Sequence, residues 1–475
     1  MTSTIATSAS FTEIPLLRLS EAFLPETKPT FLVALRNALL NVGFLYISDT
    51  GLPEDLVQRV IDQCHAFFET LPEQEKLNIE MKNEKSFLGY SRLGNEVTAG
   101  KADWREQLDL VRRISLVRLR VTTRLLTRLL CQKSTNHPTP SATAPIWYNM
   151  LGPNQWPTPT YLPEFRSTYE EYIRRMSVIS MTFTSLIAEA LGLRPEAFSR
   201  FFDADQQHKL KLVKYPDAST DSAGQGVGPH KDSMLTSYLL QASPHKGLQA
   251  QNIDGRWIDC PPKPGTLVVA IGQGMEALTG GVCASTTHRV LSPEAGLGAR
   301  YSVPFFQGVS FDARFEDFND EIPEWIRKMK EDSIKRSGGR QDSVEFTFVK
   351  GKWKSLGEAT LMNRVKSHPD VGQRWVRHYS GHEPAVTDKL LVSRSFGADP
   401  SGAASPKERC RVVAAVTTID EDRKSSTSAL KCTPHCLVTR YMLCAFKSLY
   451  SMTITHPMLS VLYISNAESM HIWRS

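Results

Sequence analysis

The chain lacks the features of membrane-spanning and disulfide-stabilised proteins. Its 475 residues contain no apolar run of about 18 residues, so the sequence predicts no transmembrane helix. The N-terminus is rich in Ser and Thr and lacks the basic and then apolar pattern of a secretory signal. Only Cys64, Cys260 and Cys283 lie outside two anomalous segments described below, and they show no paired spacing. We therefore expect an intracellular, cytoplasmic protein.

A strong excess of one charge is also absent from most of the chain. The formal net charge is +6. Residues 111–142 contain seven basic and no acidic side chains, and 386–475 contain eleven basic and seven acidic ones, so the remainder carries −5. This remainder gives no indication of nucleic-acid binding. The whole chain, at 41% hydrophobic and 22% charged residues, has ordinary globular composition.

Helical and β-strand patterns occupy different parts of the chain. Three regions have apolar residues at helical spacing: 31–40, 54–69 and about 163–192. Seven short strand-like runs separated by Gly and Pro turns follow between 209 and 307, and helical patterns return after 320. This order favours an α+β fold with a double-stranded β-helix, or jelly-roll, core, a helical N-terminal region and C-terminal helices.

Two histidines and one aspartate form a candidate metal-ligand set. His230 and Asp232 are two residues apart, a spacing that puts both side chains on one face of a β-strand. His288 follows 56 residues after Asp232, far enough for several strands to return it to the same site. Two histidines and one carboxylate are the ligands of mononuclear non-haem iron(II) centres. A His-x-Asp pair alone is more often an ordinary pair of surface residues.

A second pair of polar residues follows the second histidine. Arg300 and Ser302 are again two residues apart on a predicted strand. A guanidinium and a hydroxyl on one face suit a carboxylate, which arginine binds in bidentate fashion. The alternative is a structural salt bridge at Arg300. Two aromatic residues beside this pair, Phe305 and Phe306, are candidates for lining a substrate cavity or for the ordinary core.

Taken together, these motifs resemble the iron(II)- and 2-oxoglutarate-dependent oxygenases of the isopenicillin N synthase-like family, in a fungal-type branch. The resemblance covers about 11–110 and 143–382. It is carried by the following segments: GFLYISDTGLP (43–53), DWREQLDL (103–110), LGPNQWP (151–157), PHKDSMLTSYLLQ (229–241), the long central segment 247–281, STTHRV (285–290), RYSVPFF (300–306) and RVKSHPDV (364–371).

The resemblance implies cofactors and residue roles. His230, Asp232 and His288 would bind Fe(II), and Arg300 and Ser302 would hold the distal carboxylate of the co-substrate 2-oxoglutarate. Tyr215, in LVKYP, matches a tyrosine often found near this co-substrate, and its alternative is a buried core residue. The family often has asparagine two residues earlier, where this chain has valine, so one co-substrate contact is in doubt.

The implied reaction consumes O2 and 2-oxoglutarate, gives succinate and CO2, and hydroxylates, desaturates or cyclises a small-molecule substrate, in keeping with specialised metabolism. One alternative within the fold is an iron oxidase that does not use 2-oxoglutarate. Another is an inactive protein disrupted by the segment 111–142. Neither nucleic-acid binding nor stable membrane insertion is expected, and the oligomeric state is not indicated.

Two segments depart from the family pattern and divide the chain. We expect an N-terminal non-haem dioxygenase region at 11–110, an anomalous basic insertion at 111–142, the jelly-roll oxygenase domain at 143–385 and an atypical tail at 386–475. The insertion is Arg- and Leu-rich, and valine codons begin with the GT of a splice donor, which suggests a translated intron. Its functional alternative is a basic amphipathic helix for a membrane surface or partner.

The tail shows no clear periodicity. It contains Cys432, His435, Cys436 and Cys444, but their spacing fits no regular zinc module. We expect it to be poorly ordered, as a read-through product or a disordered extension.

The intron hypothesis makes a direct prediction about the message. The spliced transcript should lack the codons for 111–142, because the family joins the flanking motifs by a short loop. Sequencing of full-length complementary DNA measures this. A mature message that retains these codons contradicts the hypothesis and favours the amphipathic helix.

Overall fold

The computed structural model describes residues 10–111, 144–202, 207–218, 225–314, 321–337, 353 and 355–376. The tail 386–475 and nearly all of the predicted insertion lie outside these ranges. The expectations of a translated intron, a basic helix, a zinc site and a poorly ordered tail therefore stay predictions.

Fourteen strands form the β-structure of the described residues. They are β1 Leu16–Arg18, β2 Phe44–Ser48, β3 Gly89–Ser91, β4 Val97–Thr98, β5 Lys101–Ala102, β6 Glu106–Val111, β7 Lys209–Tyr215, β8 Gln225–His230, β9 Thr236–Gln241, β10 Leu248–Gln251, β11 Trp257–Asp259, β12 Leu267–Ile271, β13 His288–Leu291 and β14 Arg300–Gln307. The bounds agree closely with the strand-like runs of the sequence.

The strands make two main sheets. The larger has the order β1-β2-β12-β9-β14-β7-β6-β3, and the smaller has the order β11-β10-β13-β8. Strands β4 and β5 form a separate hairpin. The larger sheet combines strands that precede the insertion with strands that follow it. In this sheet β6 pairs with β7, and β2 pairs with β12.

Helices cover the outer face of the larger sheet and the C-terminal part of the chain. They are α1 Lys28–Asn41, α2 Glu54–Glu69, α3 Glu73–Asn78, α4 Phe165–Ala190, α5 Gln273–Leu278, α6 Glu324–Ser337, α7 Leu356–Ser367 and α8 Pro369–Trp375. The N-terminal and C-terminal helical regions expected from the sequence are thus present. No helix in the part of the chain described by the structure is both long and apolar enough to span a bilayer.

The two faces of the larger sheet have different chemistry. Its outer face packs on α1, α2 and α4 in one apolar core, to which β7 contributes Leu210 and Leu212. Its inner face meets the smaller sheet in a second cluster, to which β7 contributes Val213 and Tyr215. Because side chains alternate along a strand, Arg300 on β14 shares the inner direction with its partner residue on β7. This sandwich with helical support is a jelly-roll of the α+β class.

The three cysteines left by the sequence argument, Cys64, Cys260 and Cys283, are buried as free thiols. Burial raises the pKa of the Cys260 and Cys283 thiols to about 12, so both stay protonated. The described structure therefore uses them as small apolar side chains.

The turn into β2 yields a stability prediction. Gly43 has φ +70° and backs onto the carbonyl of Ala284 and the hydroxyl of Thr286, so an added Cβ is strained and also clashes. Gly51 has a similar φ of +75° but open space around it. We expect Gly43→Ala to lower the free energy of unfolding by roughly 2–5 kcal/mol and Gly51→Ala by only about 1 kcal/mol. Urea denaturation followed by circular dichroism measures both, and equal losses would contradict the close approach at Gly43.

Candidate metal and co-substrate site

Strand pairing in the smaller sheet brings the two predicted histidines together. In the antiparallel register of β8 and β13, His230 lies opposite His288, and their ring centroids are 4.2 Å apart. Each Nδ1 faces a backbone carbonyl: Gly228 O at 2.8 Å from His230, and Thr286 O at 3.0 Å from His288. With Nδ1–H donating, both Nε2 atoms are left to bind a metal.

Asp232 completes the set but does not lie on the strand. The sequence argument placed it on one strand with His230, and that is wrong because β8 ends at His230. The carboxylate is positioned instead by Ser237 of β9, whose Oγ donates to Asp232 Oδ2 at 2.5 Å. The Asp232 backbone carbonyl also accepts from the N–H of Gln273 at 2.8 Å.

The three side chains have the geometry of a metal centre. Oδ1 of Asp232 lies 3.9 Å from Nε2 of His230 and 3.8 Å from Nε2 of His288. One ligand atom from each of the three lies within 4.8 Å of the others. Burial, followed by the neighbouring His288, lowers the pKa of His230 to about 3. The imidazole is therefore neutral at physiological pH, which is the form that binds metal.

Arg300 and Ser302 lie on the inner face of β14 with unused hydrogen-bonding capacity. Arg300 is fully buried, and its Nη2 donates to Gln241 Oε1 at 3.2 Å. Its Nε and Nη1, and Oγ of Ser302, are buried without a hydrogen-bond partner. No carboxylate among the described residues forms an ion pair with Arg300, so the structural salt bridge considered as its alternative is absent there. A buried guanidinium in this state calls for an anion.

Tyr215 lies beside Arg300. Tyr215 on β7 pairs with Arg300 on the neighbouring strand β14. The guanidinium carbon of Arg300 lies 5.1 Å from the centroid of the Tyr215 ring. The tyrosine also interacts with Arg105, which lies next to β6. Phe306 lies on the same inner face of the sheet as Arg300. Phe305 points to the helix-covered core on the other face, so it does not lie beside Arg300.

A group of buried charged residues beside this site was not found from the sequence. We call it the ion cluster, and its members are Glu96, Asp103, Arg105, Gln107, Asp109, Lys209, Lys211, Arg364 and His368. Four members lie on β6 and β7 and alternate with buried leucines: Gln107, Asp109, Lys209 and Lys211. Polar or charged residues at every second position of a strand were therefore the sequence pattern from which these four could have been found. The Arg364 and His368 contributions come from far along the chain and had no local signal.

A cleft opens beside the loop that carries Asp232. Its walls come from that loop, the start of β7, the end of β14 and helix α7, through residues that include Ser233, Gln207, Phe311 and Thr360. The cleft is mostly apolar, which suits the body of a small organic molecule.

The chain matches two protein families and a fungal dioxygenase in sequence. Residues 14–159 match the family described as non-haem dioxygenase in morphine synthesis N-terminal, and residues 206–309 match the 2OG-Fe(II) oxygenase superfamily. The 2-oxoglutarate-dependent dioxygenase frbJ of Dothideomycetidae sp. (strain 11243) is 59% identical over 369 residues, which cover 77% of this chain and 92% of that protein.

A more distant relative and a solved structure extend the comparison. The homoarginine-6-hydroxylase 2-ODD-C23.1 of Arabidopsis thaliana is 32% identical over 289 residues, covering 59% of this chain and 77% of that protein. The full-length Neurospora crassa T7H in complex with alpha-KG superposes with a TM-score of 0.51 at 22% identity, covering 65% of this chain and 89% of that one. This last likeness shows the fold.

The contact between Ser237 and Asp232 yields a prediction for metal affinity. We expect Ser237→Ala to weaken Fe(II) binding by roughly tenfold to a hundredfold, because the carboxylate loses the hydroxyl that orients it. Anaerobic calorimetric titration measures the dissociation constant. The matched control is Ser333→Ala, which removes a comparable hydroxyl contact to Asn41 far from the site. Unchanged affinity in the Ser237 variant would contradict the orienting role.

Proposed function

The chain belongs to the 2OG-Fe(II) oxygenase superfamily, and we propose that His230, Asp232 and His288 bind the iron of this enzyme. The protein is a 2-oxoglutarate- and Fe(II)-dependent dioxygenase that requires Fe(II), 2-oxoglutarate and O2. The observation that carries the assignment of the ligands is the convergence of two imidazole nitrogens and one carboxylate oxygen within 4.8 Å of one another. Three ligands on one side leave the opposite coordination positions open.

The co-substrate end of the site is proposed on Arg300, Ser302 and Tyr215. Support comes from the orphaned donors: two nitrogens of Arg300 and the hydroxyl of Ser302 are buried without partners on one strand face. Arg300 and Ser302 would hold the distal carboxylate of 2-oxoglutarate, which arginine can bind in bidentate fashion. The valine at position 213 has no polar group to add, so the contact often made by asparagine in the family is absent here.

The residues of this chain act by positioning and by excluding water. Bound iron and 2-oxoglutarate supply the activation of O2 that oxidises a C–H bond, with conversion of 2-oxoglutarate to succinate and CO2. Gly228 and Thr286 hold the imidazoles in the tautomer that presents Nε2, and Ser237 holds the carboxylate. Phe44 packs its ring 5.1 Å from His288 and shields that side from solvent.

The substrate is proposed to be a small organic molecule of specialised metabolism or catabolism. Support for amino-acid-like compounds comes from the plant relatives named homoarginine-6-hydroxylase, which are 30–32% identical over 59% of this chain. Amino acids are therefore the first group of compounds to test. Whether the product is an alcohol, an alkene or a ring depends on which C–H bonds face the metal.

The co-substrate site yields a prediction that separates the proposed function from its alternatives. Anaerobic Fe(II) and 2-oxoglutarate should give a visible charge-transfer band in the wild-type protein and none in His230→Ala. Arg300→Gln should raise the dissociation constant for 2-oxoglutarate by roughly tenfold to a hundredfold, because a charge-assisted hydrogen bond is lost.

Arg289→Gln is the matched control for this titration. Its guanidinium stacks on Trp257 at 4.1 Å and donates to Gln249, away from the unpaired donors of Arg300. Circular dichroism checks the fold of each variant. A folded wild-type protein without the band would contradict 2-oxoglutarate binding and favour an iron oxidase or an inactive enzyme. The second of these alternatives is tested by removing 111–142.

A further inference from the structure

A buried lysine inside the sandwich has no partner. Lys209 begins β7, is 4% exposed, and its Nζ is buried without a hydrogen-bond acceptor. It forms no ion pair with any described residue. An ammonium group removed from water without an acceptor is strongly destabilising, so the position needs an explanation beyond packing.

The charges around Lys209 are already committed to each other. Asp109 is the acidic neighbour of Lys209, but its carboxylate pairs with Arg364 at 2.8 Å and with Lys211 at 3.3 Å. The other two neighbouring charges are those same cations. Burial, and then the positive charge of Arg364, hold the pKa of Lys209 well below its usual value. Asp109 is thus shared among three cations, and a further anion is needed to keep Lys209 protonated.

The ion cluster as a whole lacks one negative charge. Its four basic members face three acidic ones: Arg105, Lys209, Lys211 and Arg364 against Glu96, Asp103 and Asp109. Burial lowers the pKa of His368 to about 4, so this residue adds no charge at neutral pH. Burial also raises the pKa of Asp103, which cannot reduce the positive excess. The cluster is completed by one monoanion.

The register of the larger sheet relates Lys209 to the metal centre. Phe306 of β14 pairs with Lys209 on one side and with Ser237 of β9 on the other. Ser237 is the residue that holds Asp232. Lys209 and Ser237 are thus two strands apart in one row of the inner face, or roughly 10 Å between backbones. An extended molecule of amino-acid size is comparable in length with this separation.

The cleft beside the metal loop lies next to the segment that leads into β7. Its walls include Ser233, next to the ligand Asp232, and Gln207, two residues before Lys209. Thr360 on α7, one helical turn before Arg364, forms another part of the wall. The cleft therefore borders both the metal loop and the strand end that carries the lysine.

We propose that the substrate carries a carboxylate and that Lys209 pairs with it, so that this lysine selects the substrate and orients its oxidised carbon toward the metal centre. The inference rests on the proposed function in one respect, that the molecule bound is the substrate of the oxygenase. Binding of the carboxylate neutralises the cluster and keeps Lys209 protonated. Lys209 acts as a specificity residue and takes no part in the chemistry.

Binding of matched probes to the protein loaded anaerobically with Fe(II) and 2-oxoglutarate tests the proposal. The probes are two pairs that differ in the carboxylate: L-arginine with agmatine, and hexanoate with hexanol. At least one carboxylate should bind the wild type, roughly thirtyfold or more tightly than its partner, and Lys209→Met should abolish this preference. Lys209→Arg should retain part of it. Calorimetric dissociation constants and thermal midpoints are the measurements.

Lys214→Met is the matched control. Lys214 lies on the same strand but on the opposite face, where it pairs with Glu69 at 2.9 Å. Its removal should leave the carboxylate preference unchanged. Lys209→Met should also melt no earlier than the wild type without a probe, because it replaces an unpaired buried amine with an apolar chain of similar length.

The outcomes distinguish this inference from the proposed function. If Lys209→Met binds the carboxylate as tightly as the wild type, or if neither carboxylate binds the wild type more tightly than its partner, the inference is overturned. The Fe(II) and 2-oxoglutarate band should be the same in both proteins. Absence of this band from the wild type would count against the proposed function. In that case, carboxylate binding to the metal-free protein would still decide the role of Lys209.

Discussion

The antiparallel pairing of β8 with β13 is the constraint on which the rest of the site depends. It places His230 and His288 face to face, and the backbone carbonyl two residues before each histidine sets the tautomer of its ring. The histidines come from positions 58 residues apart, so only the sheet brings them together. Pairing between neighbouring strands then adds Ser237, and through it Asp232, to the same centre. The geometry of the three candidate ligands is therefore set by strand pairing and hydrogen bonds within the protein.

Local sequence patterns predicted much of this fold. Strand β14 was expected at 300–307 and is observed as Arg300–Gln307, and α2 was expected at 54–69 and is observed as Glu54–Glu69. These succeeded because side-chain alternation and helical spacing are local properties. Asp232 failed for a related reason: the two-residue spacing that suggests one strand is equally compatible with a strand end followed by a loop. The role of Asp232 as a metal ligand stays a proposal, while the geometric explanation of its position was wrong.

The ion cluster marks where sequence reasoning ended. Its members range from position 96 to position 368, and the contacts between Asp109 and Arg364 or between Gln107 and His368 depend on strand register and on the packing of α7 and α8. Neither register nor packing is encoded in a short window. Lys209 and Lys211 were included in a predicted strand, but nothing local distinguished a charged face turned inward from one turned to solvent. That distinction requires knowledge of which face the helices cover.

The two faces of the larger sheet divide stability from function. The outer face is apolar and packs on α1, α2 and α4, and this burial supplies the main driving force for folding. The inner face holds Arg300, Ser302 and Lys209 with donors that no protein atom satisfies. Each such group lowers stability until a ligand binds, so the apolar face must compensate for the polar one. Arg300 and Lys209 are cations whose unsatisfied groups are donors, so the ligands that suit these two side chains are anions.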